Sequence, residues 1–146
     1  MGAVSLPTSG SVYIDANTFI YSVEEIAPYW RLLEPLWVAA KKNALRLLSS
    51  ELLVLEALTG PKKKNRPDLF ERYERVLGSG DVRLVPVSIQ VLRKSVDVRA
   101  MGLKTPDAIH AATALLNGCT TFLTNDIGFR RVPELNTVIL SELSVT

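Results

Sequence analysis

The chain of 146 residues is 47% hydrophobic and 22% charged, with a net charge of +2 and one cysteine, Cys119. That length suits a single domain whose core needs no covalent support, and one cysteine excludes an internal disulfide or a thiolate metal site. No apolar run reaches the roughly 18 residues of a membrane span, and MGAVSLPTSG lacks the basic start and apolar core of a secretion signal. A reducing, cytoplasmic setting without a membrane partner is expected, with residues 1–10 as a flexible N-terminal extension.

In SVYIDANTFIYS a short β-rich run, Val12 to Ile14, ends in an acid followed by turn and cap residues, which makes Asp15 the end of strand one. Residues 18–42 carry helical spacing through Trp30, Leu33 and Trp37, and Pro28 and Pro35 are expected to divide them into two helices. NALRLLSS reads as strand two, with Ser49 or Ser50 capping a helix that contains Glu56 and stops at Gly60-Pro61. KKKNR is a loop or exposed helix start, and PDLFERYERVLGSG is an amphipathic helix with Leu69, Phe70, Tyr73, Val76 and Leu77 on one side. DVRLVPVS is a third strand ended by Pro86, followed by the helix IQVLRKSVDVRAMG. In KTPDAIHAATALLNG, Thr105 is the expected N-cap, Pro106 takes the first helical position and Gly118 closes the helix. TTFLTND is strand four, DIGFRRVPEL a loop and NTVIL strand five. Strands that alternate with helices define an α/β class with a mainly parallel sheet.

Glu56 lies inside LLVLEAL, where a carboxylate loses hydration unless it faces a polar cleft or meets a partner from elsewhere in the chain. Open α/β sheets bind ligands outside the carboxyl ends of their strands. Asp15 and Asp126 end strands there, Asp107 starts a helix there, and Glu56 is one to two turns into the helix after strand two. Each acid also has a structural explanation: a cap for Asp15, an Asx turn for Asp126, the helix dipole for Asp107 and an exposed stripe for Glu56. Convergence changes the energetics, because two like charges about 4 Å apart repel by roughly 4 kcal/mol at an effective dielectric near 20.

Four gathered carboxylates must share protons or bind a cation, and with one histidine and one cysteine in the chain an all-oxygen site favours Mg²⁺ or Mn²⁺ over zinc. Such a centre suits phosphodiester hydrolysis by activated water. His110, three residues after Asp107, reads as a packing or cleft-edge residue rather than a ligand. Lys62, Lys63, Lys64 and Arg66 supply four of the seventeen positive charges, so the rest of the chain is net negative and the basic character is local. They suit a nucleic-acid backbone or a solvated loop, and Arg130 and Arg131 are further phosphate contacts or simply exposed.

VYIDANTFIYS, SSELLVLEALTG, KTPDAIHAATA and TFLTNDIGF resemble, in order and spacing, the PIN-domain nucleases, in particular VapC-like ribonuclease toxins. The resemblance implies one PIN-like domain over 1–146, a three-layer α/β/α fold around about five strands. It implies that Asp15, Glu56, Asp107 and Asp126 form a metal-binding catalytic site, with Asn17, Thr124 and Asn125 as supporting or substrate-contact positions. RNA binding would fall to Lys62, Lys63, Lys64, Arg66 and Arg130. It further implies RNA cleavage with Mg²⁺ or Mn²⁺ to 5′-phosphate and 3′-hydroxyl ends, a cognate antitoxin and a homodimer. Relatives that carry Thr or Ser directly after the first Asp differ from this chain, which has Ala16 there. The alternatives are a PIN-fold module that binds RNA or protein without cutting, a housekeeping RNA-processing nuclease, and a phosphoryl-transfer protein with Asp15 as nucleophile.

Overall fold

The computed structural model describes residues 5–143. Of the expected N-terminal extension, residues 1–4 lie outside that range, and Leu6 packs against the core. Five strands, β1 (Ser11–Ile14), β2 (Arg46–Ser50), β3 (Val82–Val85), β4 (Thr121–Thr124) and β5 (Thr137–Ile139), form one sheet in the order β3-β2-β1-β4-β5. Every pairing is parallel. The helices are α1 (Ala16–Val23), α2 (Tyr29–Lys41), α3 (Leu52–Lys63), α4 (Pro67–Leu77), α5 (Ile89–Ala100) and α6 (Thr105–Leu116).

Strand pleating sends alternate residues to opposite faces, and the two faces have separate cores. Val12, Ile14, Leu47 and Leu123 join Phe19, Leu33, Leu36, Leu53 and Tyr73 on the side of α1 to α4. Tyr13, Leu48 and Phe122 join Val98, Ala108, Ala111 and Phe129 on the side of α5 and α6. The architecture is the expected α/β/α sandwich, and burial on both faces explains why β1 and β4 are apolar or hydroxyl-bearing throughout. The chain winds outward from β1 through β2 to β3, then returns to β4 on the other side. The switch point between β1 and β4 is where such a sheet opens a crevice at its carboxyl edge.

Several boundaries differ from the sequence expectation. Pro28, in a cis peptide, does separate α1 from α2, but Pro35 lies inside α2, where Leu33, Leu36 and Ala40 anchor the helix on both sides of it. The Glu56 helix does not stop at Gly60-Pro61. It continues to Lys63, with Lys64 N–H bonded to the Gly60 carbonyl, and the buried Pro61 ring offsets the one bond that its nitrogen lacks. KKKNR is therefore the final turn of α3 and the turn into α4, reversed at Asn65 with φ 52°. Thr105 is the first helical residue rather than the cap, since the extended backbone of Lys104 turns the chain one position earlier. The stretch after Asp126 holds a short 3-10 helix, Ile127–Arg131, instead of an irregular loop.

α6 is buried from Ala108 through Ala114, and its alanines let it sit close to both the sheet and α5. Ala111 is fully buried, so Ala111→Leu should overpack that contact and cost about 1–3 kcal/mol in urea denaturation. An unchanged midpoint would contradict the close approach.

Candidate acidic active site

Asp15 follows β1 directly and is 6% exposed. Its Oδ1 accepts from the Thr18 backbone N–H (3.1 Å) and hydroxyl (2.7 Å), and its Oδ2 accepts from the Thr124 hydroxyl (2.5 Å). The capping role and the cleft position thus belong to one side chain. Thr124 ends β4, and its Oγ1 also accepts from the Asp126 N–H at 3.0 Å, so one hydroxyl joins the acids of two strands. Asp126 closes an Asx turn through Oδ1 to the Gly128 N–H at 2.8 Å, which aims its carboxylate back toward the sheet edge.

Asp107 lies in the first turn of α6 and shares a cavity of about 230 Å³ with Asp126, Lys104, Gly102, Phe129 and Arg131. Burial raises its carboxyl pKa, and the charges of Asp126, Asp15 and Glu56 raise it further while His110 opposes them. Asp126, Asp15 and Glu56 therefore all act on Asp107 through space, while Lys104 and Arg131 line the same cavity. Burial also raises the pKa of Asp15, against the hydrogen bonds from Thr124 and Thr18.

The partner of Glu56 comes from α6. His110 is 1% exposed, and its Nε2 lies 2.6 Å from Glu56 Oε1 while its Nδ1 lies 2.6 Å from the Tyr13 hydroxyl. The sequence reading of His110 as a packing or cleft-edge residue did not include this bond. Two polar residues, each isolated in an apolar helix, were the available signal, because each needs a partner that its own helix does not offer. Thr18 was missed as well. Its hydroxyl and backbone N–H, three residues after Asp15, both hold that carboxylate.

The remaining positions separate into those that touch the cleft and those that do not. Asn17 is exposed on the first turn of α1, and Asn125 Oδ1 accepts from the Ser141 N–H at 3.0 Å, tying the β4 end to the chain after β5. Arg130 turns away to pair with Glu142 at 2.5 Å, whereas Arg131 donates to the Gly102 carbonyl at 3.2 Å and lines the acidic cavity. Lys62 and Lys63 occupy the last turn of α3, and Arg66 pairs with Asp68 at 3.0 Å. At 1.5 Å of rise per residue the lysines begin roughly 9 Å beyond Glu56 along α3.

Among the described residues, no three His, Cys, Asp or Glu side chains are grouped tightly enough to enclose a metal. Mg²⁺ needs no such cage, since it is commonly held by one or two carboxylates and completes its shell with water and phosphate. An all-oxygen set of mutually repelling acids with spare lone pairs fits that kind of open site.

A PIN-domain family model matches residues 12–135, and the chain belongs to that family. PIN domains are nucleases, hydrolases that act on nucleic acids. Comparison with curated proteins finds no match. Among solved structures, the chain is similar to one in the VapBC2 complex of Rickettsia felis bound to a promoter DNA fragment. Identity there is 19% and the TM-score 0.70, over 88% of this chain and 98% of that one. A toxin-antitoxin complex from Klebsiella pneumoniae gives 22% identity and a TM-score of 0.66, over 90% and 99% of the two chains. VapBC-1 from nontypeable Haemophilus influenzae gives 16% and 0.66, over 90% and 98%. These likenesses show a shared fold. No helix among the described residues is long and apolar enough to cross a membrane.

A carboxyl whose folded pKa is raised binds its proton more tightly in the folded state. It therefore favours folding below its unfolded pKa, and that advantage is lost as pH rises through the folded value. Asp107→Asn should accordingly raise the Tm near pH 7, with the difference shrinking as pH falls below the ordinary carboxylate range. A lower Tm for the variant at neutral pH would show that the acid stabilises the fold.

Proposed function

We propose that the protein is a Mg²⁺- or Mn²⁺-dependent ribonuclease and the toxin of a toxin-antitoxin pair. One observation carries the catalytic part: Asp107, at the switch point of a PIN fold, is half-buried in a cavity shared with Asp126 and lies in the field of Asp15 and Glu56 as well. Those four acids would hold the metal, whose contribution when bound is to activate water and to offset charge on the phosphate oxygens. Thr18 and Thr124 keep Asp15 oriented, and the Asx turn fixes Asp126. Arg131, anchored on Gly102, stands beside the acids where a scissile or adjacent phosphate would pass, and Lys104 adds a second charge. Lys62, Lys63 and Lys64 would take the backbone farther from the cut. Arg66 and Arg130 already have acidic partners, so they would contribute less than expected from sequence.

The phosphoryl-transfer alternative is less well supported, because both oxygens of the candidate nucleophile Asp15 are engaged by hydroxyl donors in a nearly buried position. The antitoxin part rests on the solved relatives, several of which are toxin-antitoxin complexes. For a homodimer, Ile89, Leu92 and Val96 are exposed on α5 at spacings of three and four, a stripe that a second copy would cover.

Purified protein should cut RNA with Mg²⁺ or Mn²⁺ and leave 5′-phosphate ends, while EDTA or Asp107→Asn should reduce cleavage by at least about 10²-fold. Full activity in Asp107→Asn would rule out this site, and RNA binding without cleavage would favour a non-catalytic module. Expression of the wild type should arrest growth and Asp15→Asn should relieve it; harmless expression of an active nuclease would favour a housekeeping role. Arg131→Ala should raise the KM for RNA by on the order of tenfold and Arg130→Ala change it little, whereas equal effects would remove the distinction between them. Neutralising Lys62, Lys63 and Lys64 should flatten the salt dependence of binding to single-stranded RNA by about 0.7 for each phosphate that is no longer neutralised.

A further inference from the structure

We propose that Tyr13 and His110 form a positioning relay that presents the Glu56 carboxylate to the cleft, with the His110 Nε2–H donating to Glu56. The proposal rests on the reading of Glu56 as part of a nuclease site. Three observations lead to it, and they concern different parts of the molecule.

The first is geometric. Both imidazole nitrogens are engaged at 2.6 Å, on one side by the Tyr13 hydroxyl and on the other by Glu56 Oε1, so the ring spans from the core to the site. The second is chemical. Tyr13 is fully buried, and desolvation holds its phenol well above its ordinary pKa, so the hydroxyl keeps its proton and needs an acceptor. Nδ1 is one partner, and the Ser49 and Thr113 hydroxyls are also within reach. Nε2 faces a carboxylate oxygen, where a lone pair would be repelled, so Nε2 carries a proton and donates to Glu56.

The third observation is mechanical. Tyr13 is in the central strand and stacks on Phe122 of β4, with ring centroids 5.1 Å apart and planes 6° from parallel, and Phe122 packs on Phe129 at 4.6 Å. The relay therefore starts from rigid sheet rather than from a loop. Among the described residues, Glu56 Oε2 accepts no protein hydrogen bond, which leaves that oxygen to the cleft. Buried partners of this kind, acting through a site carboxylate, typically contribute 10- to 100-fold to metal affinity or rate.

His110 is the only histidine in the chain, so long-range ¹H–¹⁵N spectra of uniformly labelled protein report on it without assignment. The expected wild-type spectrum has a protonated Nε2. Tyr13→Phe should shift the Nδ1 resonance. An unprotonated Nε2 in the wild type overturns the proposal. Kinetics then test what the orientation is for. His110→Phe should lower kcat on RNA by on the order of 10- to 100-fold with KM within about twofold, and His110→Gln, which keeps an N–H donor, should recover most of that loss.

A folded His110→Phe that cleaves at the wild-type rate also overturns the relay. If that variant does not fold, Tyr13→Phe, which removes one oxygen, carries the same kcat measurement. An inactive Asp107→Asn beside a fully active His110→Phe sinks the relay and leaves the nuclease reading intact. Absence of cleavage by the wild type sinks the nuclease reading, and the spectrum alone then decides whether Tyr13 and His110 orient Glu56.

Discussion

Buried negative charge at the carboxyl edge of this sheet must be held in place, and the Thr124 hydroxyl is where that constraint is met most directly. It donates to Asp15 and accepts from the Asp126 backbone, so two adjacent strands share one small polar group. A lysine in that position would cancel the charge, and an apolar residue would leave Asp15 buried without enough donors. Threonine meets both demands while its β-branched body stays compatible with a buried strand. Thr18 supplies the same service from the helix side, which makes Asp15 the most firmly oriented acid of the four.

The energetics run against stability. Asp15 loses hydration, and Asp107 is surrounded by like charge. A fold selected only for stability would place amides or apolar residues there. The apolar layers on both sides of the sheet offset that local cost, and the close seating of α6 is what keeps Asp107 near the other acids. Core packing and site geometry are thus coupled through one helix, whose first turn carries Asp107 and whose next turn carries His110.

Much of the fold was legible because its signals are local. Short β-branched runs separated by amphipathic segments gave five strands and their parallel arrangement, and the acids at strand ends and helix starts pointed to the carboxyl edge, where Asp15 and Asp126 follow their strands. The errors arose where tertiary contacts overrode local rules. Pro35 and Pro61 are tolerated because buried neighbours hold their helices, and no window of sequence contains those neighbours. The Glu56–His110 contact joins residues 54 positions apart, and Tyr13 is 97 positions from His110, so pairing them requires the three-dimensional arrangement. Arg130 and Arg131 are adjacent in sequence yet face Glu142 and the acidic cavity respectively, a division set by the short 3-10 helix that was expected to be a loop.

The continuation of α3 through Pro61 has a mechanical meaning. Lysines on a loop would follow whatever they touched, but lysines in the last turn of the helix that carries Glu56 move with it as one body. Their offset from that acid is set by helix pitch, not by chain flexibility. A long polyanion gripped there would be indexed against the acidic edge, as work is held against the stop of a cutting bench.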